Sequence, residues 1–200
     1  MISEALVFLV GEVNNYLNAR LGPATPDRVV LGNIARLADA DGGAGGGGGA
    51  GTGNGVAMLT LVNMEEEKAA RNPENFRRLD DQIQYRNPPV QLNLYGLFSA
   101  HTQTYATALE VLTYIVQCFQ AQRTFSSETH PNLNARIGKL NVDLFNLSFE
   151  QLNHLWSTLG GKYLPSVLYK IRLVRIEDTT NQAVGEPIRE IALNGRNLSQ

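Results

Sequence analysis

Three histidines (His101, His130 and His154), one cysteine (Cys118) and two runs of carboxylates are the residues here whose types could do chemistry. A nucleophilic triad needs a base held against a serine or cysteine, with a third group orienting it. His101 follows an alternating apolar run, His130 precedes Pro131 in a turn, and His154 lies beside Trp156. None stands near a Gly-x-Ser-x-Gly elbow or a cysteine motif. Metal sites that can be read in a sequence pair histidine or cysteine ligands at i, i+3 or i+4, or as Cys-x-x-Cys, and neither arrangement occurs. The carboxylates gather at Glu65, Glu66 and Glu67 and at Asp80 and Asp81, in a polar stretch. Solvated carboxylates lack the desolvated or paired setting that general acid–base work needs. The expectation is therefore no catalytic residue, no metal ligand, no cofactor site and no enzyme.

The remaining candidates have structural readings. Arg71, Arg77 and Arg78 form the one local basic cluster, but Glu65–67, Asp80 and Asp81 flank it and the formal net charge is −2. Phosphate binding needs a concentrated cationic footprint, so nucleic acid is not expected as a partner. Cys118 lies in a helical apolar run (Val111, Leu112, Ile115, Val116, Phe119), where a thiol acts as a small buried hydrophobe. One cysteine also excludes an internal disulfide framework. Residues 41–55 are almost all glycine and match Gly-x-Gly-x-x-Gly by accident. A phosphate cradle would need a helix N-terminus after it, whereas a strand-like run follows. That segment is expected to be a flexible loop between strands. No apolar stretch approaches the ~18 residues of a membrane span, and the N-terminus lacks a basic n-region and a cleavage site. No membrane partner is expected, and synthesis in the cytoplasm is the default.

The elements that would position any site follow from hydrophobic periodicity. Residues 3–20 predict an amphipathic helix, capped by Ser3 and stopped by Gly22-Pro23. Residues 28–37 predict a first strand and 56–62 a central one. Residues 65–89 predict a projecting polar loop. Val90, Leu92 and Leu94 alternate with Gln91, Asn93 and Tyr95, as in a half-buried strand. Residues 104–122 predict the strongest helix, with Leu109, Leu112, Ile115, Val116 and Phe119 as its buried stripe and Tyr105 and Ala108 one turn earlier. A turn over 124–131 and a strand over 139–147 follow. Ser148-Phe-Glu-Gln151 is a capping-box signature that starts a short helix with Leu152, Leu155, Trp156 and Leu159. Trp156 reads as core there, with a ligand platform as the alternative. A long strand runs to Ile176, and 177–200 is a polar arm. With 43% apolar residues there is enough for a core. The fold class expected is α+β: one mostly antiparallel sheet flanked by two long helices and one short helix.

The strand from Val90 before a long helix, the strand through Leu140, the element Leu152-Asn-His-Leu-Trp156-Ser157 and the strand opened by Pro165-Ser166 and carrying Tyr169 form a combination. Over about residues 3–176 it resembles the tube-terminating cap proteins of extracellular contractile injection systems, such as the Photorhabdus virulence cassettes and the antifeeding prophage. The resemblance implies a fold like that of phage tail terminators. It also implies a homo-hexameric ring that ends the inner tube, and partners in the tube and sheath proteins of a particle released from the cell. The polyglycine segment and the 65–89 loop depart from that pattern, so no functional residue is carried over onto them. Residues 1–176 would form the cap domain and 177–200 a C-terminal arm, with loop and arm at subunit contacts. Two other readings compete: the terminator or connector of a true contractile phage tail, and a small-ligand-binding α/β domain using Trp156, Tyr163 and His154.

Overall fold

The computed structural model describes residues 1–24, 27–35, 56–67, 76–79, 82–85, 90–102, 104–160, 163–176 and 183–185. Of these, 76–79, 82–85, 173–176 and 183–185 are described by their backbone alone. The predicted glycine loop over 41–55 lies outside the described residues.

Helix α1 (Ile2–Leu21) buries Ala5, Leu6, Phe8, Leu9, Val13 and Leu17, the stripe that helical spacing demands. Its N-cap is Met1, without a side-chain cap, so Ser3 lies inside the helix rather than at its start. Gly22 ends it at φ 81°, a conformation that suits a residue without Cβ. The Arg28 guanidinium then donates to the carbonyls of Gly22 (2.7 Å) and Leu21 (3.3 Å), groups the helix itself leaves without a partner.

The first strand is shorter than predicted: β1 is Val29–Leu31 only. Past it the chain turns away, held by Thr60 Oγ1, which donates to Gly32 O (2.9 Å) and accepts from Ile34 N (3.2 Å). Strand β2 (Ala57–Glu66) is longer than predicted and pairs with β5 (Val90–Ala100) through a bulge between Leu61 and Asn63. Inside the stretch predicted to be a loop, β3 (Phe76–Leu79) and β4 (Gln82–Tyr85) form an antiparallel hairpin. Helix α2 (Tyr105–Ala121) buries Ala108, Val111, Leu112, Ile115, Cys118 and Phe119. Tyr105 and Leu109, predicted for the buried face, are 64% and 44% exposed. The true stripe is rotated toward Val111 and Cys118, because α2 packs against α1 as well as on the sheet.

Within the predicted turn, β6 (Thr124–Ser126) pairs with β7 (Lys139–Leu144). Helix α3 (Phe149–Thr158) begins at the predicted capping box: Gln151 N donates to Ser148 Oγ (3.2 Å) and Ser148 N to Gln151 Oε1 (3.0 Å). Strand β8 (Ser166–Ile176) lies between β5 and β7 in the main sheet, and β9 (Ala183–Gly185) pairs with β4.

The main sheet has the order β1-β2-β5-β8-β7-β6, and β3-β4-β9 form a second, three-stranded sheet. In the main sheet β1 and β2 are parallel and every other pair is antiparallel, so it is mixed rather than purely antiparallel. The fold is α+β, with three helices and a six-stranded sheet. One face carries α1 and α2 over a core that includes Leu59, Phe98, Ile115, Phe119, Leu140 and Ile171. The other face carries α3, whose Trp156 packs with Met58, Tyr95, Leu97 and Leu168. Strand β5 is therefore buried on both faces from Asn93 to Ala100, not on one as its alternation suggests.

The sheet curls around α1. At one edge Asn14 Nδ2 donates to Val29 O (2.8 Å) and Val29 N donates to Asn14 Oδ1 (2.9 Å), which closes the outer side of β1 with a side-chain amide. At the other edge Phe8 meets Phe125 of β6 edge to face, with ring centres 5.6 Å apart. Bulges in β2–β5 and β5–β8 increase the local twist that allows this closure. At the centre the Gly96 backbone lies close to its neighbours: a Cβ there would stand 2.9 Å from Leu59 Cδ1.

Candidate functional site

The structure disperses the residues whose types suggested chemistry. His101 is exposed at the end of β5, and its amide donates to Val56 O (2.9 Å). His154 is exposed on α3. His130 is held in place: its Nδ1 is 2.8 Å from Thr129 Oγ1, its Nε2 is 3.0 Å from Gln122 Nε2, and its ring stands edge-on to Phe8 and Phe125. That wedge fixes the turn after β6 against α1. Cys118 is buried between α1 and α2, and burial, with the charge of Glu12, pushes its thiol up to about 12. Such a thiol carries almost no thiolate, the form that reacts.

Of the carboxylates, Glu65 and Glu66 belong to β2 rather than to a solvated loop. The reason is pairing: β2 continues along β5 past its bulge, and Glu67 N still donates to Gln91 O (2.8 Å). Tyr95 Oη donates to Glu65 Oε2 (2.7 Å), and Asn93 Nδ2 donates to Glu67 Oε2 (2.9 Å). Burial first, then the Glu65 bond, pushes the Tyr95 phenol up to about 12. Arg71, Asp80 and Asp81 lie outside the described residues, and Arg77 and Arg78 fall on β3, described by backbone alone. Among the described residues no group of three or more histidines, cysteines, aspartates or glutamates could hold a metal ion. Nor is any described helix long and apolar enough to cross a membrane.

Trp156 and Tyr163 do come together, edge to face at 5.6 Å, and with Phe149, Leu152, Asn153 and Ser157 they line an open hollow on α3. Trp156 itself is 5% exposed and belongs to the core beneath α3. His154, the third member of the ligand-site reading, does not line the hollow. Phe149 stands 92% exposed at its rim. The lining is mixed: Asn153 and Ser157 stand beside the aromatic rings, and the buried Trp156 indole N–H has no hydrogen-bond partner among the described residues.

Two broader surfaces were missed in the sequence. Helix α3, with Phe145 and Leu147 before it, packs on the outer sheet face over β1, β2, β5 and the start of β8. Over β6–β8 that face is bare among the described residues and carries Lys139, Asn141, Asp143, Lys170 and Arg172. The signal was present: Leu140 and Val142 point inward, so their alternating neighbours must point out. On the opposite side, α1 presents Glu4, Val7, Gly11, Glu12 and Asn15 along a groove walled by the turns at 131–135.

The model of a family described as the Pvc16 N-terminal domain matches residues 7–190. No curated protein matches the chain in sequence. Among solved structures the chain is similar to the PVC sheath/tube terminator of an extracellular contractile injection system in its extended state. The two are 14% identical with a TM-score of 0.57, over 94% of this chain and 63% of that one. It is also similar to the tube-terminating cap of the anti-feeding prophage, at 11% identity and a TM-score of 0.48, over 70% of this chain and 49% of that one. The chain thus spans less than two thirds of the length of these structures. With a family match over nearly its whole length, the chain belongs to the Pvc16 N-terminal domain family.

Proposed function

We propose that this chain is a structural cap of a phage-tail-like contractile injection system. It would form a homo-hexameric ring that ends polymerisation of the inner tube and anchors the terminal sheath layer. The family match over residues 7–190 carries this reading. The two similar structures bear the names sheath/tube terminator and tube-terminating cap, which supports a role in assembly rather than in catalysis. The chain would be made in the cytoplasm and leave it as part of the particle.

A ring needs two different complementary patches on each copy, and this fold offers distinct helix and sheet faces. The pairing of β4 with β9 links the 65–89 segment to the 177–200 arm, which supports treating the two as one contact device beside the 1–176 domain. The test is co-expression with the tube and sheath proteins of the same gene cluster, read by electron microscopy. The expected result is a sixfold ring on tube ends, and tubes of unregulated length when this chain is omitted. Tubes of unchanged length with bare ends would reject the reading.

A further inference from the structure

Beyond the end of β6, strand β7 becomes the edge of the main sheet. Ser127 N donates to Gly138 O (2.9 Å) and Val142 N to Arg123 O (2.8 Å), so the even-numbered residues along β7 turn their backbone groups toward β6. Phe145 N donates to Leu168 O (2.8 Å), which turns the odd-numbered residues toward β8. Leu144 therefore points its N–H and C=O to the β6 side. No strand of this copy lies there among the described residues: β6 begins at Thr124, and the chain before it comes from α2, which ends at Ala121. The Leu144 amide has no hydrogen-bond partner among the described residues.

Free edges are ordinarily blunted by charge, proline or a bulge. This one carries a leucine, 52% exposed, and the charge beside it, Asp143, is held by Arg172 Nε (2.9 Å). Between the edge and α2 lies a hollow of about 330 Å³, with apolar walls from Val116, Phe119, Val142, Leu144 and Tyr169. Gln120, Asp143 and Arg123 also line it, and Arg123 is in no ion pair among the described residues. Unpaired backbone groups beside an apolar hollow suit the addition of a strand: the backbone bonds give affinity, and an alternate side chain enters the hollow.

Outside the described residues, one run of the sequence alternates as such a strand requires. It is Glu190-Ile191-Ala192-Leu193-Asn194, with Ile191 and Leu193 on one side and a carboxylate next to Ile191 for Arg123. The path of the chain favours a donor from another copy. Strand β8 leads from Tyr169, opposite Leu144, to Ile176, about 23 Å along the sheet, and β9 then pairs with β4.

We propose that residues 190–194 of one copy add as a strand to the free edge of β7 in a neighbouring copy, with Ile191 opposite Leu144 and seated in the hollow. This rests on the assembly reading and adds the segment that joins two copies and the edge that receives it.

The experiment uses two full-length variants, with native mass spectrometry as the readout. Leu144→Pro removes the outward N–H without taking a bond from β8, since Leu144 turns away from that strand. Ile191→Asp keeps the edge and spoils the entering segment. Each variant alone should need at least about tenfold higher concentration than wild type to associate, the effect of losing one buried apolar side chain or more. Mixed one to one, the two should form a heterodimer, because the Leu144→Pro chain keeps its segment and the Ile191→Asp chain keeps its edge. That heterodimer also shows that both variants fold. Association of either variant at wild-type concentrations, or a mixture without the heterodimer, would overturn the strand addition and leave the assembly reading standing. A wild-type chain that stays monomeric, both in isolation and on purified tube ends, would overturn the assembly reading and this inference with it.

Discussion

At the scale of single residues, burial sets the titration of one thiol and two phenols. The Cys118 thiol and the Tyr95 and Tyr169 phenols are all pushed up to about 12, in each case by burial before any other cause. Their ordinary values are 9.0 for the thiol and 10.0 for the phenols, so above those values the unfolded chain releases protons that the folded chain keeps. Their contribution to stability is complete below about pH 9 and is lost as pH rises through the folded values near 12. Urea midpoints measured from pH 8 to pH 11 should therefore fall steadily, and a flat profile would contradict the burial of these groups. At pH 8 a thiol reagent should leave Cys118 unmodified in the native protein and label it in denaturant. Labelling at the rate of a free thiol under native conditions would place Cys118 at the surface. The burial of Cys118 was legible in the sequence, since helical spacing placed it among Val111, Ile115 and Phe119. The Tyr95–Glu65 bond was not, because the partners are 30 residues apart and meet only through the register of β2 on β5.

At the scale of elements, two short-range devices set the edges. Asn14 spends its whole amide on Val29, so Asn14→Ala leaves a buried N–H and a buried carbonyl unpaired and should cost about 2 kcal/mol or more. Asn14→Asp should cost at least as much, since it sets a carboxylate against the Val29 carbonyl. If both variants unfolded at the wild-type denaturant midpoint, Asn14 would not be closing the edge of β1. On the other face, Ser148→Ala removes half of the capping box at a cost of about 1 kcal/mol, whereas Trp156→Ala empties the core beneath α3 at a cost of about 3–5 kcal/mol. A Ser148→Ala loss as large as that of Trp156→Ala would mean that the cap, and not packing, holds α3. The contrast also explains what could be read in advance. The capping box, the α1 stripe and the strand around Leu140 are local patterns with fixed spacing, and they appear where they were predicted. The hairpin of β3 and β4 and the extension of β2 to Glu66 depend on partners far along the chain, so a polar composition hid them. The bare face of β6–β8 depends on how far a ten-residue α3 reaches, which no local pattern encodes.

At the scale of the molecule, α1 is the element through which the two edges of the sheet communicate. It grips β1 through Asn14 and β6 through the ring of Phe8, six residues and about 9 Å apart on a single rigid helix. Phe8 is 7% exposed and also meets His130, so Phe8→Ala opens a cavity at the β6 end and should cost about 3–5 kcal/mol. The more telling consequence lies at the far edge. If α1 docks as one body, loosening it at β6 must loosen it at β1, and amide hydrogen exchange at Val29 and at Phe125 should quicken together in Phe8→Ala. Asn14→Ala should produce the same joint response from the other end. Exchange that quickens only near the substituted contact would show that the two edges open independently and that the curl of the sheet is kept by β5 and β8 without α1.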